Sequence, residues 1–112
     1  MPQTDTYTGL QLQSNNYGYI LEGGLRQSYG GILKISLNNN GTVSEKIRVD
    51  TSGNVGIGTT GPTAKLQVSG GDAAVTTQGN GAILRATDGS ACYRVTVNNA
   101  GALSTASVIC PL

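Results

Sequence analysis

The sequence predicts an all-β protein of short antiparallel strands and hairpins, assembled as an intertwined homotrimer with a small C-terminal β domain. Three observations predict it. Aliphatic residues alternate with polar ones at the period of a half-buried strand, as in Leu33, Ile35 and Leu37 against Lys34, Ser36 and Asn38. Turn chemistry built on Asn-Gly, Ser-Gly-Asn and Asp-Gly separates such runs. The third observation is a shortage. Aromatics make up 4% of the 112 residues, with no Phe or Trp and 17 glycines, so a compact monomer would have a thin core that identical neighbours must complete. A charged content of only 12%, with β-branched residues in patterned runs, argues against disorder.

Residues 1–31 read as short strands or as an arm that attaches the protein to something larger. Leu10 and Leu12 share one strand face, Tyr19-Ile20-Leu21 forms another strand, and Gly23-Gly24 and Gly30-Gly31 read as turns or bends. Residues 32–70 read as a β stem and trimerisation region. After the strand through Leu33 and Leu37, Asn38-Asn39-Asn40-Gly41 supplies a hairpin turn, because Asn and Gly tolerate positive φ. Strict alternation on the return strand puts Val43, Glu45, Ile47 and Val49 on one face and Ser44, Lys46 and Arg48 on the other. Asp50 to Asn54 turns the chain again, Val55 to Ile57 forms a strand, Gly61-Pro62 breaks it, and Leu66 to Val68 makes one more.

Residues 71–112 read as a β-hairpin domain. Ala82 to Thr87 is a strand, Asp88-Gly89-Ser90 a turn, Cys92 to Val97 a strand, and Asn98 to Gly101 a turn into Ala102 and beyond. A turn glycine followed two residues later by an aliphatic recurs at Gly41, Gly53, Gly81 and Gly101; the irregular spacing marks shared turn chemistry, not a solenoid repeat. Cys92 and Cys110 fall in the last strands. A four-residue loop would pair Val97 with Ala102 and send the cysteines to opposite faces; a five-residue loop would pair Val97 with Leu103 and place them diagonally on one face. A Cys92–Cys110 disulfide and a pair of buried thiols therefore both remain open. Metal binding does not fit, since the chain has no histidine and the cysteine spacing is wrong.

The most informative stretch is IRVDTSGNVGIGTTGPTAKLQV, residues 47–68. Val55 and Ile57 offer methyl groups while Gly56 and Gly58 offer bare backbone, so three copies can meet at Val55 and Ile57 with the glycines admitting a tight crossing. These four residues are the expected trimer interface. The stretch resembles a segment recurrent in tailed-bacteriophage fibre and other virion-surface proteins, and it covers about a fifth of the chain. The run CYRVTVNNAGALSTASVICP is similar to the closing segment of some phage structural proteins. The resemblance implies a trimeric virion protein, made in the host cytoplasm and carried on the particle surface. It does not imply the self-cleaving chaperone domain of many relatives, for which no room follows residue 68.

The remaining composition excludes several functions. A net charge of +1 with scattered basic residues leaves no footprint for nucleic acid. No apolar run approaches membrane-spanning length, and residues 1–6 carry no leader pattern, so neither membrane insertion nor secretion is expected. Gly56-Ile57-Gly58-Thr59-Thr60-Gly61 matches a dinucleotide fingerprint literally, but Pro62 follows at once and no amphipathic helix comes next, so no cofactor is expected. Without histidine a catalytic base would have to be a lysine or one of six acids, most of them beside turns, and five tyrosines make a poor sugar platform; no catalytic residue and no enzyme activity are expected. Tyr7, Tyr17, Tyr19 and Tyr29 are candidates for docking onto the virion shell, against the alternative that they fill a trimer core. Read as a complete short chain, the protein fits a capsid decoration protein or head fibre that reinforces the particle; the alternative is a tail-fibre protein recognising a host-surface glycan.

Overall fold

A computed structural model describes residues 7–14, 17–26 and 30–112. The chain is all-β, with no helix among these residues, and forms two compact units, Met1–Asp72 and Ala73–Leu112. The first holds a six-stranded sheet in chain order: β1 (Tyr7–Ser14), β2 (Tyr17–Arg26), β3 (Gly30–Asn39), β4 (Thr42–Val49), β5 (Val55–Ile57) and β6 (Leu66–Val68). All neighbours are antiparallel except β5 and β6.

The expected break near residue 31 does not interrupt this sheet, because β2 and β3 pair along their length from Tyr17↔Asn39 to Arg26↔Gly30. Gly23 and Gly24, expected as a bend, lie inside β2 opposite Leu33 and Ile32, and Gly30-Gly31 opens β3. Glycine is a poor strand former on its own, but pairing with a strand on each side outweighs that preference. The division between units falls at 72/73, against an expected 70/71.

Turn geometry follows residue chemistry. Asn40 (φ 51°) and Gly41 (φ 82°) make the two-residue turn between β3 and β4. Strict alternation on β4 fails. The register passes from Ser36↔Glu45 to Ile35↔Ile47, so Lys46 is an extra residue in a β-bulge. Val43 and Glu45 therefore lie on the face opposite Ile47 and Val49, not with them. The bulge also brings Glu45 and Arg48 to one face, where Arg48 Nε and Nη2 donate to Glu45 Oε1 and Oε2 at 2.6 and 2.7 Å.

In the second unit, β7 (Ala82–Arg85), β8 (Cys92–Val97) and β9 (Leu103–Val108) form an antiparallel sheet in that order. Val97 pairs with Leu103 and Cys92 with Val108, so the loop 98–102 has five residues. Cys110 then lies diagonal to Cys92, and a disulfide joins them with Cα atoms 5.1 Å apart.

The β5–β6 connection, residues 58–65, is short for a parallel link, and it is held by close backbone approach. Gly58 has φ +72°, and a Cβ there would strike the Ser69 carbonyl oxygen. Gly61 has open space around it and an ordinary φ. Gly58→Ala is expected to lower stability by about 1–3 kcal/mol, and Gly61→Ala by less than about 0.5 kcal/mol. Denaturant midpoints of the two variants check this; equal midpoints would remove the steric role given to Gly58.

Candidate functional site

Cross-strand partners share a face, so the register sorts the six-stranded sheet into two chemically different sides. On one side the chain of partners runs Leu21↔Ile35↔Ile47↔Ile57↔Val68, and beside it Leu33↔Val49↔Val55↔Leu66. Leu37 pairs with Ser44 on the same side. No Lys, Arg, Asp or Glu belongs to these rows. The other side carries Ile20, Lys34, Ser36, Glu45, Arg48, Gly56 and Gln67.

Burial does not follow the division of chemistry between the two sides. On the polar side Ile20 is 4% and Ser36 3% exposed, and the Glu45–Arg48 pair keeps only 14% and 19% of its side-chain surface in water. On the apolar side Leu21, Leu33 and Ile57 are 41%, 43% and 39% exposed, and Leu66 is 63% exposed. All six strands lie in the sheet itself, so among the described residues no further strand of this unit covers that face. Ile20 and Cys92 are the buried hydrophobic side chains among the described residues, and none of these is sealed completely.

Val55 and Ile57 thus lie within a larger apolar surface, Val55 half-buried and Ile57 more exposed. The two glycines between and after them are crowded by their own chain. A Cβ on Gly56 would meet the Thr59 carbonyl oxygen at 2.8 Å, Thr59 Cγ2 at 3.0 Å and Pro62 Cβ at 3.4 Å. Gly58 is met by Ser69 in the same way. Their own chain makes this close approach, folding residues 59–62 over the polar side of β5. The same packing fills the place where the fingerprint GIGTTG would need to cradle a phosphate, and no helix follows it.

The loop before β5 fixes how Val55 is presented. Asp50 Oδ1 accepts from Ser52 N at 2.9 Å and Asn54 N at 2.8 Å, Asp50 N donates to Asn54 O, and Gly53, at φ +74°, donates to Asp50 O. Lys65 Nζ donates to Ser52 O at 2.8 Å, and Val55 N to Lys65 O at 2.8 Å, tying the loop to the start of β6. The loop 98–102 repeats this pattern with a neutral residue: Asn98 Oδ1 accepts from Ala100 N and Ala102 N, and Gly101 has φ +81°. Of the four similar glycines noted in the sequence, Gly53 and Gly101 share one loop type. Gly41 belongs to a two-residue turn, and Gly81 packs against the Val95 carbonyl.

Tyr7 pairs with Gly24 at one end of the β1–β2 ladder, and Tyr17 pairs with Ser14 at the other, roughly 24 Å away at 3.4 Å per residue. Tyr17 is 57% exposed, Tyr19 pairs with Leu12 and Leu37, and Tyr29 lies outside the described residues. Among the described residues no group of three or more His, Cys, Asp or Glu could hold a metal, and no helix is long and apolar enough to cross a membrane. Leu66 and Val68 were missed as part of the apolar surface. Their parallel pairing with β5 has no local sequence signal beyond two alternating aliphatics. No protein-family model matches this sequence, and no curated protein is similar to it.

The Asp50 carboxyl is held below its ordinary range, first by the Asn54 backbone N–H, against slight desolvation, with the Ser52 N–H, the Asn54 side-chain amide and the Lys65 charge adding to it. A carboxyl with a depressed folded-state pKa stabilises the fold above its unfolded value of about 3.9, and that contribution is lost as pH falls through the folded value. Asp88, depressed by the backbone and side chain of Ser90, adds a second such contribution. Acid titration of the melting temperature should therefore show a decline below about pH 4. Asp50→Asn keeps the Oδ1 acceptor that Asn98 uses and should give a shallower decline with little change at pH 7. Asp50→Ala should melt lower at both pH values. An Asp50→Asn curve parallel to the parent's would show that this carboxylate is not what titrates.

Proposed function

We propose that this protein is a structural component of a virion surface, a homotrimeric decoration protein or head fibre of a tailed bacteriophage. In this reading its copies bind one another and bridge shell subunits, reinforcing the particle. The observation that carries the reading is the uncovered apolar face of the six-stranded sheet. A sheet that buries Ser36 and leaves Leu21, Leu33 and Ile57 in water lacks a partner, and a copy of the same chain is the partner always present at matching concentration. Removing each half-exposed Leu, Ile or Val from water contributes about 1 kcal/mol, so a few such residues per copy support stable association. The number three, and the virion setting, come from the likeness of residues 47–68 to virion-surface segments.

In this proposal the attaching and self-assembling parts are not separate segments. Strands β1 and β2 belong to the same sheet as Val55 and Ile57, so attachment and self-assembly share one unit. The second unit, Ala73–Leu112, is the outward or receptor-facing part in this proposal.

Light scattering on the purified protein tests the association. The expected mass is about three times the 11.4 kDa of one chain. Ile57→Asp places a charge in the centre of the apolar rows and should abolish the trimer, whereas Ile109→Asp, at a side chain 94% exposed in the other unit, should leave it intact. A stable, folded monomer of the parent chain would overturn the proposal. On particles, a copy number matching that of the shell subunits supports decoration, and a few copies confined to the tail would favour the glycan-binding fibre instead.

A further inference from the structure

We infer that the C-terminal unit is an oxidation-gated module, ordered only while the Cys92–Cys110 bond is closed. The inference rests on the packing of this unit alone and not on the assembly proposed above. Its sheet has three short strands, and Cys92, at 3% exposure, is its buried hydrophobic side chain. Val95 and Val108 are half-buried, and the other large apolar residues of those strands are more open to water: Ile83 is 39%, Leu84 58%, Val97 65% and Leu103 77% exposed. A unit of this size has too little apolar burial to offset the entropy of ordering, and small domains of this kind need a covalent staple.

The position of the bond fits that role. Cys110 lies beyond the end of β9, where no ladder hydrogen bond would hold the chain, and the bond returns that tail to β8 at the middle strand of the sheet. It joins positions 18 apart in sequence, on either side of the β8–β9 hairpin, so closing it removes much of the freedom of the open chain. Beyond the two strand ladders, the remaining fastenings are exposed polar contacts: Arg94 Nη1 donating to Gly79 O at 3.2 Å, and the Asp88 and Asn98 turns. Contacts of that kind contribute little in water.

Closure takes two protons and two electrons from the thiols, and a small-molecule disulfide accepts them. The more accessible Cys110 thiolate attacks one sulfur of that disulfide and releases a first thiolate. The Cys92 thiolate then attacks Cys110 Sγ in the mixed disulfide, forms the Sγ–Sγ bond and releases a second thiolate. A reducing compartment therefore holds the unit open, and an oxidising one completes it, so chains made under reducing conditions finish this unit only after leaving them.

Limited trypsin digestion of the full-length protein, oxidised or pre-treated with dithiothreitol and read by mass spectrometry, tests the gate. After reduction, cleavage following Arg85 and Arg94 should accelerate on the order of 100-fold, while cleavage following Lys34, Lys46 and Arg48 in the first unit should keep its rate. Unchanged rates at Arg85 and Arg94 would overturn the inference, and so would equal acceleration in both units. A variant combining Cys92→Val with Cys110→Ala retains an apolar side chain at position 92 without the bond. It should be cut fast with or without reductant; protection equal to that of the oxidised parent would show that burial at position 92, not the bond, orders the unit. Digestion rates and the light-scattering mass are separate readouts, so failure of the trimer leaves this result interpretable.

Discussion

The uncovered apolar face of the six-stranded sheet is the constraint on which the first unit depends. Rows of Leu, Ile and Val cross it, from Leu21 in β2 to Val68 in β6, without a charged residue between them. A sheet normally hides such a face against a helix layer or a second sheet. Here every strand among the described residues of the unit is spent in the one sheet. The scarcity of aromatics is the compositional trace of this arrangement. The face is built from medium-sized aliphatic side chains, which pack well against a second flat aliphatic surface and poorly as the closed core of so small a unit.

The polar side is organised to stay apart from that surface. The bulge at Lys46 is the device: without the extra residue, Glu45 would lie in the row of Ile47 and Val49 and would carry a charge into the apolar face. With it, Glu45 turns to the opposite side and meets Arg48 in a two-pronged ion pair. The crossover 58–65 follows the same division. It folds Thr59 and Pro62 onto Gly56 on the polar side and leaves Val55 and Ile57 clear on the other.

Much of this was legible in the sequence, and the parts that were not have identifiable causes. Alternation in 33–37 and the Asn40-Gly41 turn found β3, β4 and their hairpin, because side-chain period and positive φ are local properties. The bulge was invisible, since an inserted residue changes the face of everything beyond it without altering composition, and reading straight through it put Val43 and Glu45 on the wrong side. Gly23, Gly24, Gly30 and Gly31 read as bends because local preference was the only signal; pairing with neighbouring strands set them in or at the start of extended chain. Gly56 was rightly seen as a point of close approach, but sequence names no approaching group, and the nearest was only three residues away in the same chain.

The loop 98–102 shows where a legible signal went unused. Asp50 and Asn98 each stand three residues before a glycine at positive φ, and each accepts two backbone N–H groups through Oδ1. Five residues is the length at which that side chain can close the loop on itself, so the two segments share one solution, one with a charge and one without. Applying the first loop to the second fixes Val97 opposite Leu103, and that register alone carries Cys110 to the diagonal position beside Cys92. The alternative four-residue loop would have left Asn98 without its second N–H and the cysteines on opposite faces. The choice between bonded and free thiols was therefore made upstream, by an asparagine and a glycine, and the two units show the same shortage of bulky side chains in different ways: the first leaves part of its aliphatic face exposed, and the second is closed by a covalent bond.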